Sequence, residues 1–343
     1  MVHFDRWLVI VLLISVLMEK WRSISRMSLM LVRPFHIVHQ WALIFMALSV
    51  KGILNKVSPL DLFTVWIIVF LVMPLLFSIN DLLHLEEDKK MKRERLFTVL
   101  NIPKRQLTII LTSLILLLIL LAGLRSILTL GFLLLLMIFA TAYGYYKHKK
   151  QTILTYCFRT LSGFALYLVI SSYFGLTVFD ILLAIFVGLT DLQVHIIGDV
   201  RDILKDKVAD VRTLPVIYGI KATNLIVLVI QFISTSFLLI LSNITTDTVV
   251  NSKNLLSSVF VGIPSLAIIL VVSFYLVAWV VYLFLLQREK VPYQWLHACF
   301  HGAKVMTFVS IGISITGYTW VIVFIFIIWI LSYTTYLWAD NRL

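Results

Sequence analysis

The chain has 343 residues, of which 61% are apolar and 13% charged, and a mean hydropathy of +1.02, which excludes an ordinary soluble domain. Its net charge of +12 sits between apolar stretches, so it reads as a topology signal and an attraction to anionic headgroups, with no nucleic acid partner called for. Two cysteines, Cys157 and Cys299, are too few for a disulfide framework.

The first apolar segment, Trp7 to Met18, has 12 residues and is too short to span a bilayer comfortably, so residues 1–30 are expected to form an interfacial or signal-like segment. Apolar stretches of spanning length follow at 35–54, 60–79, 107–124, 127–146, 153–174, 177–198, 222–242, 258–286 and 304–338. The last is long enough for two passes broken near Gly317. The expectation is an all-α, multi-pass transmembrane bundle of nine helices, or ten if the tail at 319–343 crosses separately, with residues 31–318 as its body. Of the 29 Lys and Arg residues, 24 fall on the side that holds the N-terminus, counting Arg159 and Lys304 among them. Positive residues stay in the cytoplasm during insertion, so that side, with both charged loops described next, is expected to be cytoplasmic.

The first loop, "INDLLHLEEDKKMKRERL" at 79–96, follows the second span; the other, "GDVRDILKDKVADVRTLPV" at 198–216, follows the sixth. At 100° per residue, Asp199, Asp202 and Asp206 fall within about 60° of one another on a helix. Three carboxylates on one face repel unless a cation sits among them, and Mg²⁺ takes such oxygens while sharing its other positions with substrate phosphates. The interleaved Lys205, Lys207 and Arg212 suit the phosphate oxygens left free. In the first cluster Asn80, His84 and Glu87 share one face and Asp81 and Asp88 the next, with Lys92, Arg93 and Arg95 following. Two such clusters suit a diphosphate held through two metal ions.

On these residues the chain resembles the UbiA superfamily of intramembrane prenyltransferases. The family pattern NDxxDxxxD is met by Asn80, Asp81 and Asp88, with His84 in place of an aspartate and Arg95 at a recurrent arginine; DxxDxxxD is met by Asp199, Asp202 and Asp206, followed by "DVRTLP" at 210–215. "LVRPFH" at 31–36 places Arg33 where relatives show an Arg-Pro pair, and Tyr143 precedes Lys147 where they place a diphosphate-binding lysine. The resemblance implies a nine-helix bundle around a lipid-open cavity, capped by the acidic loops. It implies a metal set of Asn80, Asp81, Glu87, Asp88, Asp199, Asp202 and Asp206, with catalysis by the aspartates. Substrate contacts would come from Asn80, His84, Arg33, Arg95, Tyr143, Lys147, Lys207 and Arg212. Imidazole suits Mg²⁺ poorly, so either Glu87 supplies the missing oxygen or His84 turns to a phosphate.

The implied reaction is Mg²⁺-dependent transfer of an isoprenyl group from a prenyl diphosphate to a lipophilic acceptor, in lipid or quinone biosynthesis. Transfer of a phosphoribosyl group to a polyprenyl phosphate is the alternative within the superfamily, and a transporter gated by the acidic loops the alternative outside it. Aromatic faces that could stabilise an allylic cation include Tyr143, Tyr146, Phe158, Tyr167 and Phe186. Asp191 and His195 lie two turns and one turn before Asp199, which puts Asp191 about 12 Å deeper. An ionisable residue at that depth is a functional candidate: the pair binds the acceptor's head or takes its proton, or else it makes a helix-to-helix hydrogen bond. His36, His39 and Gln40 either line an acceptor pocket or pack near the interface. "QREKVPYQWLHACFH" at 287–301 reads as an interfacial anchoring loop.

Overall fold

The computed structural model describes residues 34–83, 104–208, 210–251, 265–286 and 294–339. They form ten helices: α1 (Pro34–Val50), α2 (Pro59–Leu83), α3 (Lys104–Arg125), α4 (Ile127–His148), α5 (Thr152–Tyr173), α6 (Val178–Val208), α7 (Leu214–Asn251), α8 (Ser265–Leu286), α9 (Gln294–Thr316) and α10 (Trp320–Ala339). Eight are long and apolar enough to cross a membrane; α1 and α10 contribute the shorter apolar stretches His36–Val50 and Trp320–Thr335. The long final stretch therefore resolves into α9 and α10. Gly317 separates them at φ +74, a left-handed conformation that costs glycine no Cβ clash. The expected all-α multi-pass bundle is the fold observed.

Composition sorts the helices into layers. α3, α4, α7 and α8 each have only 22% of their apolar window buried and present leucine, isoleucine and valine outward, as helices facing lipid should. α5, α6 and α9 are buried to 56%, 67% and 83% and hold the polar residues, because a helix enclosed by protein can satisfy them internally. α9 packs against α1, α6, α8 and α10 and is the central post. Small residues permit the closest approaches. A Cβ on Gly188 of α6 would stand 2.8 Å from the Thr160 carbonyl oxygen of α5, and one on Gly312 of α9 would stand 2.5 Å from the Phe45 ring of α1.

Polar contacts mark the two ends of the bundle. At one end Lys51, after α1, bonds the Asp180 carboxylate at the start of α6 (2.6 Å), while Asp61 at the start of α2 meets Arg125 (3.4 Å) and the Tyr173 hydroxyl (3.2 Å). At the other end the turn between α4 and α5 is fastened to the segment after α6: Lys150 pairs with Asp210, and the Thr152 hydroxyl donates to the Arg212 carbonyl (2.8 Å). The C-terminal end of α2, with Asn80, lies at this second end, since its first turn is held at the first.

Several expectations need correction. The sixth helix does not stop at 198 but continues to Val208 as one 31-residue helix, so the second acidic cluster is its final turns rather than a loop. At about 1.5 Å per residue it is about 46 Å long against a hydrocarbon thickness of about 30 Å, and the cluster stands at the rim. Residues 294–301 are the first turns of α9 rather than an anchoring loop, with His297 and His301 buried. Lys304 is no interfacial charge: it is 1% exposed inside α9. Tyr167 and Phe186 are fully buried packing residues, the Tyr167 hydroxyl lying 3.5 Å from Asp180 at the end opposite the cluster.

The α5–α6 approach yields a test. Gly188→Ala should lower stability in detergent by about 1–3 kcal/mol through overpacking. Gly131→Ala, where a Cβ meets nothing within 4 Å, should be neutral or stabilising by up to about 1 kcal/mol. Thermal or denaturant unfolding of both variants checks the pair.

Candidate functional site

Along one face of α6 stand Asp191, His195, Asp199, Asp202 and Asp206, and helices α4, α5 and α9 bring cations to that face. Near the rim Asp199 is buried: Tyr156 of α5 donates its hydroxyl to Oδ2 (2.7 Å), Lys147 of α4 donates to Oδ1 (3.3 Å), and His195 Nε2 lies 3.8 Å from Oδ2. The Tyr156 oxygen also accepts the Leu214 N–H (3.0 Å), so one phenol ties the first residue of α7 to the acidic helix. Tyr143 sets its ring edge-on to His195 with centroids 5.1 Å apart.

Beyond Asp206 the sequence turns back on itself. The Val211 N–H closes the helix on the Asp206 carbonyl (2.9 Å), Asp210 takes a left-handed φ of +52, and the Thr213 hydroxyl reaches back to the Asp206 carboxylate (3.2 Å). An aspartate tolerates that φ better than most side chains do. The Lys150 hydrogen bond and charge hold the Asp210 carboxyl below its usual range. Asp202 is held by its neighbour Arg201 through Nε (3.1 Å) and Nη2 (2.5 Å) and is partly exposed, while Lys207 and Arg212 are exposed.

Asn80 lies half-buried at the end of α2, with Asp81 the next residue of that helix. Arg33, His84, Glu87, Asp88 and Arg95 lie outside the described residues. Carboxylate oxygens of Asp199, Asp202 and Asp206 are the donor type that Mg²⁺ accepts. Among the described residues no three His, Cys, Asp or Glu side chains converge tightly enough to hold a metal, so this face fits in donor chemistry and needs ligands from a second segment.

Deeper, Asp191 is clasped from two sides. Arg159 of α5 puts Nη2 2.8 Å from Oδ2, and Lys304 of α9 puts Nζ 2.8 Å from Oδ1. Gly163 makes the space: a Cβ there would stand 2.8 Å from the Asp191 Cβ. The helix-to-helix contact is thus present, and it is ionic. Beside it lie four histidines. His39 and His36 of α1 have ring centroids 5.9 and 5.6 Å from that of His301, which accepts from the Trp329 indole (3.1 Å); His297 lies 5.7 Å from His301 and meets the Tyr333 hydroxyl (3.0 Å). Gln40 donates to the Val69 carbonyl (3.0 Å), a packing contact with α2.

Tyr156, Arg159 and Lys304 were missed as site residues. Arg159 carried its own signal, a guanidinium inside the stretch 153–174. Lys304 was concealed because the polar start of α9 pushed the expected span boundary onto it. Nothing in the sequence marks Tyr156 apart from the other aromatics.

A family model described as the UbiA prenyltransferase family matches residues 40–251. No curated protein matches. Among solved structures, one described as giving insights into digeranylgeranylglyceryl phosphate synthase in membranes superposes with a TM-score of 0.59 at 19% identity, covering 87% of this chain and 98% of its own. A UbiA homolog from Archaeoglobus fulgidus bound to GPP and Mg²⁺ scores 0.59 at 15% identity, covering 85% and 99%. One from Aeropyrum pernix K1, without ligand, scores 0.53 at 13%, covering 84% and 97%. These likenesses show a shared fold.

Tyr156→Phe removes a hydrogen bond to a buried carboxylate and the acceptor for the Leu214 N–H. It should cost about 1.5–3 kcal/mol, and hydrogen exchange should rise at residues 210–216 ahead of the rest of the bundle.

Proposed function

The chain belongs to the UbiA prenyltransferase family, and on that premise we propose that it moves an isoprenyl group from an allylic prenyl diphosphate to a lipophilic acceptor. The reading is carried by the rim of α6, where Lys147, Tyr156 and the aspartate face meet at the end of the bundle to which α2 delivers Asn80. The A. fulgidus homolog, bound to GPP and Mg²⁺ and in another structure to DMAPP and Mg²⁺, supports the donor class. We place the rim in the cytoplasm from the Lys and Arg distribution. Residues 31–318 are the proposed transferase body, to which α10 (Trp320–Ala339) is added.

Asp199, Asp202 and Asp206, with Asn80, Asp81, Glu87 and Asp88 from the first cluster, would hold Mg²⁺, which neutralises charge on the diphosphate when bound. The chain's own residues do the rest. Lys147 rests against Asp199 and turns to the diphosphate oxygens, joined by Arg212, Lys207 and Arg95. They stabilise charge that grows as the leaving group departs, which is where stabilisation raises rate. The C1–O bond breaks with its electron pair going to pyrophosphate. A nucleophilic electron pair of the acceptor then forms the new bond to C1. Tyr143, beside His195, offers a π-face to the allylic cation, and the apolar helices keep water from it. The proton that the acceptor loses goes to His195 Nε2, a buried nitrogen without a hydrogen-bond partner, 3.8 Å from the Asp199 carboxylate that would stabilise the imidazolium.

Purified protein given radiolabelled prenyl diphosphate, lipid extract and Mg²⁺ should form a prenylated product detectable by mass spectrometry. A chelator should abolish product and restored Mg²⁺ recover it. Asp202→Asn and Lys147→Met should each lower turnover by about 10²–10³-fold. Product formation that ignores chelation, or full activity in Asp202→Asn, would sink the proposal.

A further inference from the structure

The last helix is docked by two polar rungs. His297 and His301 stand one turn apart on α9, and Trp329 and Tyr333 one turn apart on α10. His297 Nδ1 meets the Tyr333 hydroxyl (3.0 Å) and His301 Nδ1 accepts from Trp329 Nε1 (3.1 Å), so rising numbers on one helix face falling numbers on the other. Further along the buried stripe of α10 come Ile325 and Val321, and Trp329 fills a notch at Gly302, where a Cβ would stand 2.8 Å from its ring. Interhelical hydrogen bonds do hold helices together in lipid, but they would serve that purpose anywhere along the seam. Here both rungs fall in the first two turns of α9, at the rim end.

The outer rung also touches the acidic helix. A Cβ on Gly198 of α6 would stand 3.4 Å from His297 Cδ2 and 3.8 Å from its Nε2, so the imidazole lies against α6 one residue before Asp199. Glycine leaves the ring room that a larger side chain would take. On α6 the ring lies within electrostatic reach of Arg201 and His195. Arg201 holds Asp202 through two hydrogen bonds, and His195 stands 3.8 Å from the Asp199 carboxylate. The imidazole therefore borders the turn Gly198–Asp202, which carries two of the proposed metal ligands, while Tyr333 fixes it from the other side. Both members of the rung are buried.

We infer that His297 and Tyr333 are a positioning pair for the acidic cluster, which makes α10 a working part of the transferase. The inference rests on the transferase reading above and extends its machinery to the last helix of the chain. The Tyr333 hydroxyl holds the imidazole, and the imidazole sets the path on which α6 leaves the bundle. That path fixes the direction in which Asp199 and Asp202 present their oxygens to Mg²⁺ and diphosphate. Mg²⁺ demands near-ideal octahedral geometry, so it responds to small changes in ligand direction. Residues standing behind metal ligands commonly alter metal affinity or activity by about 10–100-fold. The inner rung, His301 with Trp329, lies about 6 Å deeper and supplies the control.

The test uses the full chain in lipid nanodiscs and a radiolabelled allylic prenyl diphosphate. Tyr333→Phe and His297→Phe each keep a ring in place and remove the outer rung. Each should raise the Mg²⁺ concentration for half-maximal diphosphate binding by about 10-fold. The double variant should match either single change, because residues acting through one contact are not additive. Hydrogen exchange in the absence of metal gives a second readout: amides of residues 198–206 should exchange about 10-fold faster in these variants. Trp329→Phe removes the inner rung and should lower the melting temperature while leaving the Mg²⁺ requirement within about twofold of wild type. Should His297→Phe fail to fold, Tyr333→Phe, which deletes one oxygen, carries the comparison with Trp329→Phe alone. An unchanged Mg²⁺ requirement in Tyr333→Phe, or an equal rise in Trp329→Phe, would make both rungs ordinary docking contacts and overturn the inference while leaving the transferase reading intact. Failure of wild type to bind prenyl diphosphate with Mg²⁺ would remove both.

Discussion

The arrangement depends on one carboxylate held by two cations inside an apolar bundle. Asp191 alone at that depth would be severely penalised, and so would Arg159 or Lys304 alone. Together they join α5, α6 and α9, the most buried of the eight helices long enough to cross a membrane. That junction fixes how far α6 sits along its neighbours. With Asp191 anchored, Asp199 is carried two turns outward to where Lys147 and Tyr156 wait at the α4–α5 turn. The deep ion pair and the rim are therefore two readings of a single register.

Glycines make the register attainable. Gly163 leaves room for the Asp191 side chain, and Gly188 lets α5 and α6 approach until only a hydrogen atom fits beside the Thr160 carbonyl. In lipid, where apolar side chains gain little by leaving one apolar surface for another, close van der Waals contact and polar pairing are what hold helices together. At the opposite end Lys51 and Asp180 act similarly, with both side chains buried and the Thr177 hydroxyl and N–H also donating to the Asp180 carboxylate. A bundle pinned at its far end and its middle can leave its near end to chemistry.

The near end is rich in polar contacts. It is fastened by hydrogen bonds: Tyr156 to Leu214, Thr152 to Arg212, Thr213 to Asp206, with Lys150 paired to Asp210. Such fastening suits a segment that must admit a large charged head and release another, because polar contacts can be exchanged for ligand contacts at small net cost. Lys147 illustrates this, since its resting partner Asp199 lies on the same face as the phosphates it would serve.

Hydropathy alone determined that the chain spans a membrane many times, because bilayer thickness sets a length that uncharged stretches either reach or miss. The 3.6-residue period placed Asp199, Asp202 and Asp206 on one face, since helix geometry is local. Sequence also marked Asp191 as expensive where it lies, but did not say what repaid the expense. Arg159 is 32 residues earlier and Lys304 is 113 later, and partners so far apart meet only when three helices pack. Helix ends were less legible than helix cores: α6 ran past its apolar stretch because hydrogen bonds from α4, α5 and Thr213, just before α7, stabilise its charged turns, and α9 began before its own because a helix enclosed by protein can start polar. Tertiary structure decided which charges face solvent and which are sealed inside, a property of neighbours that no single stretch of chain contains.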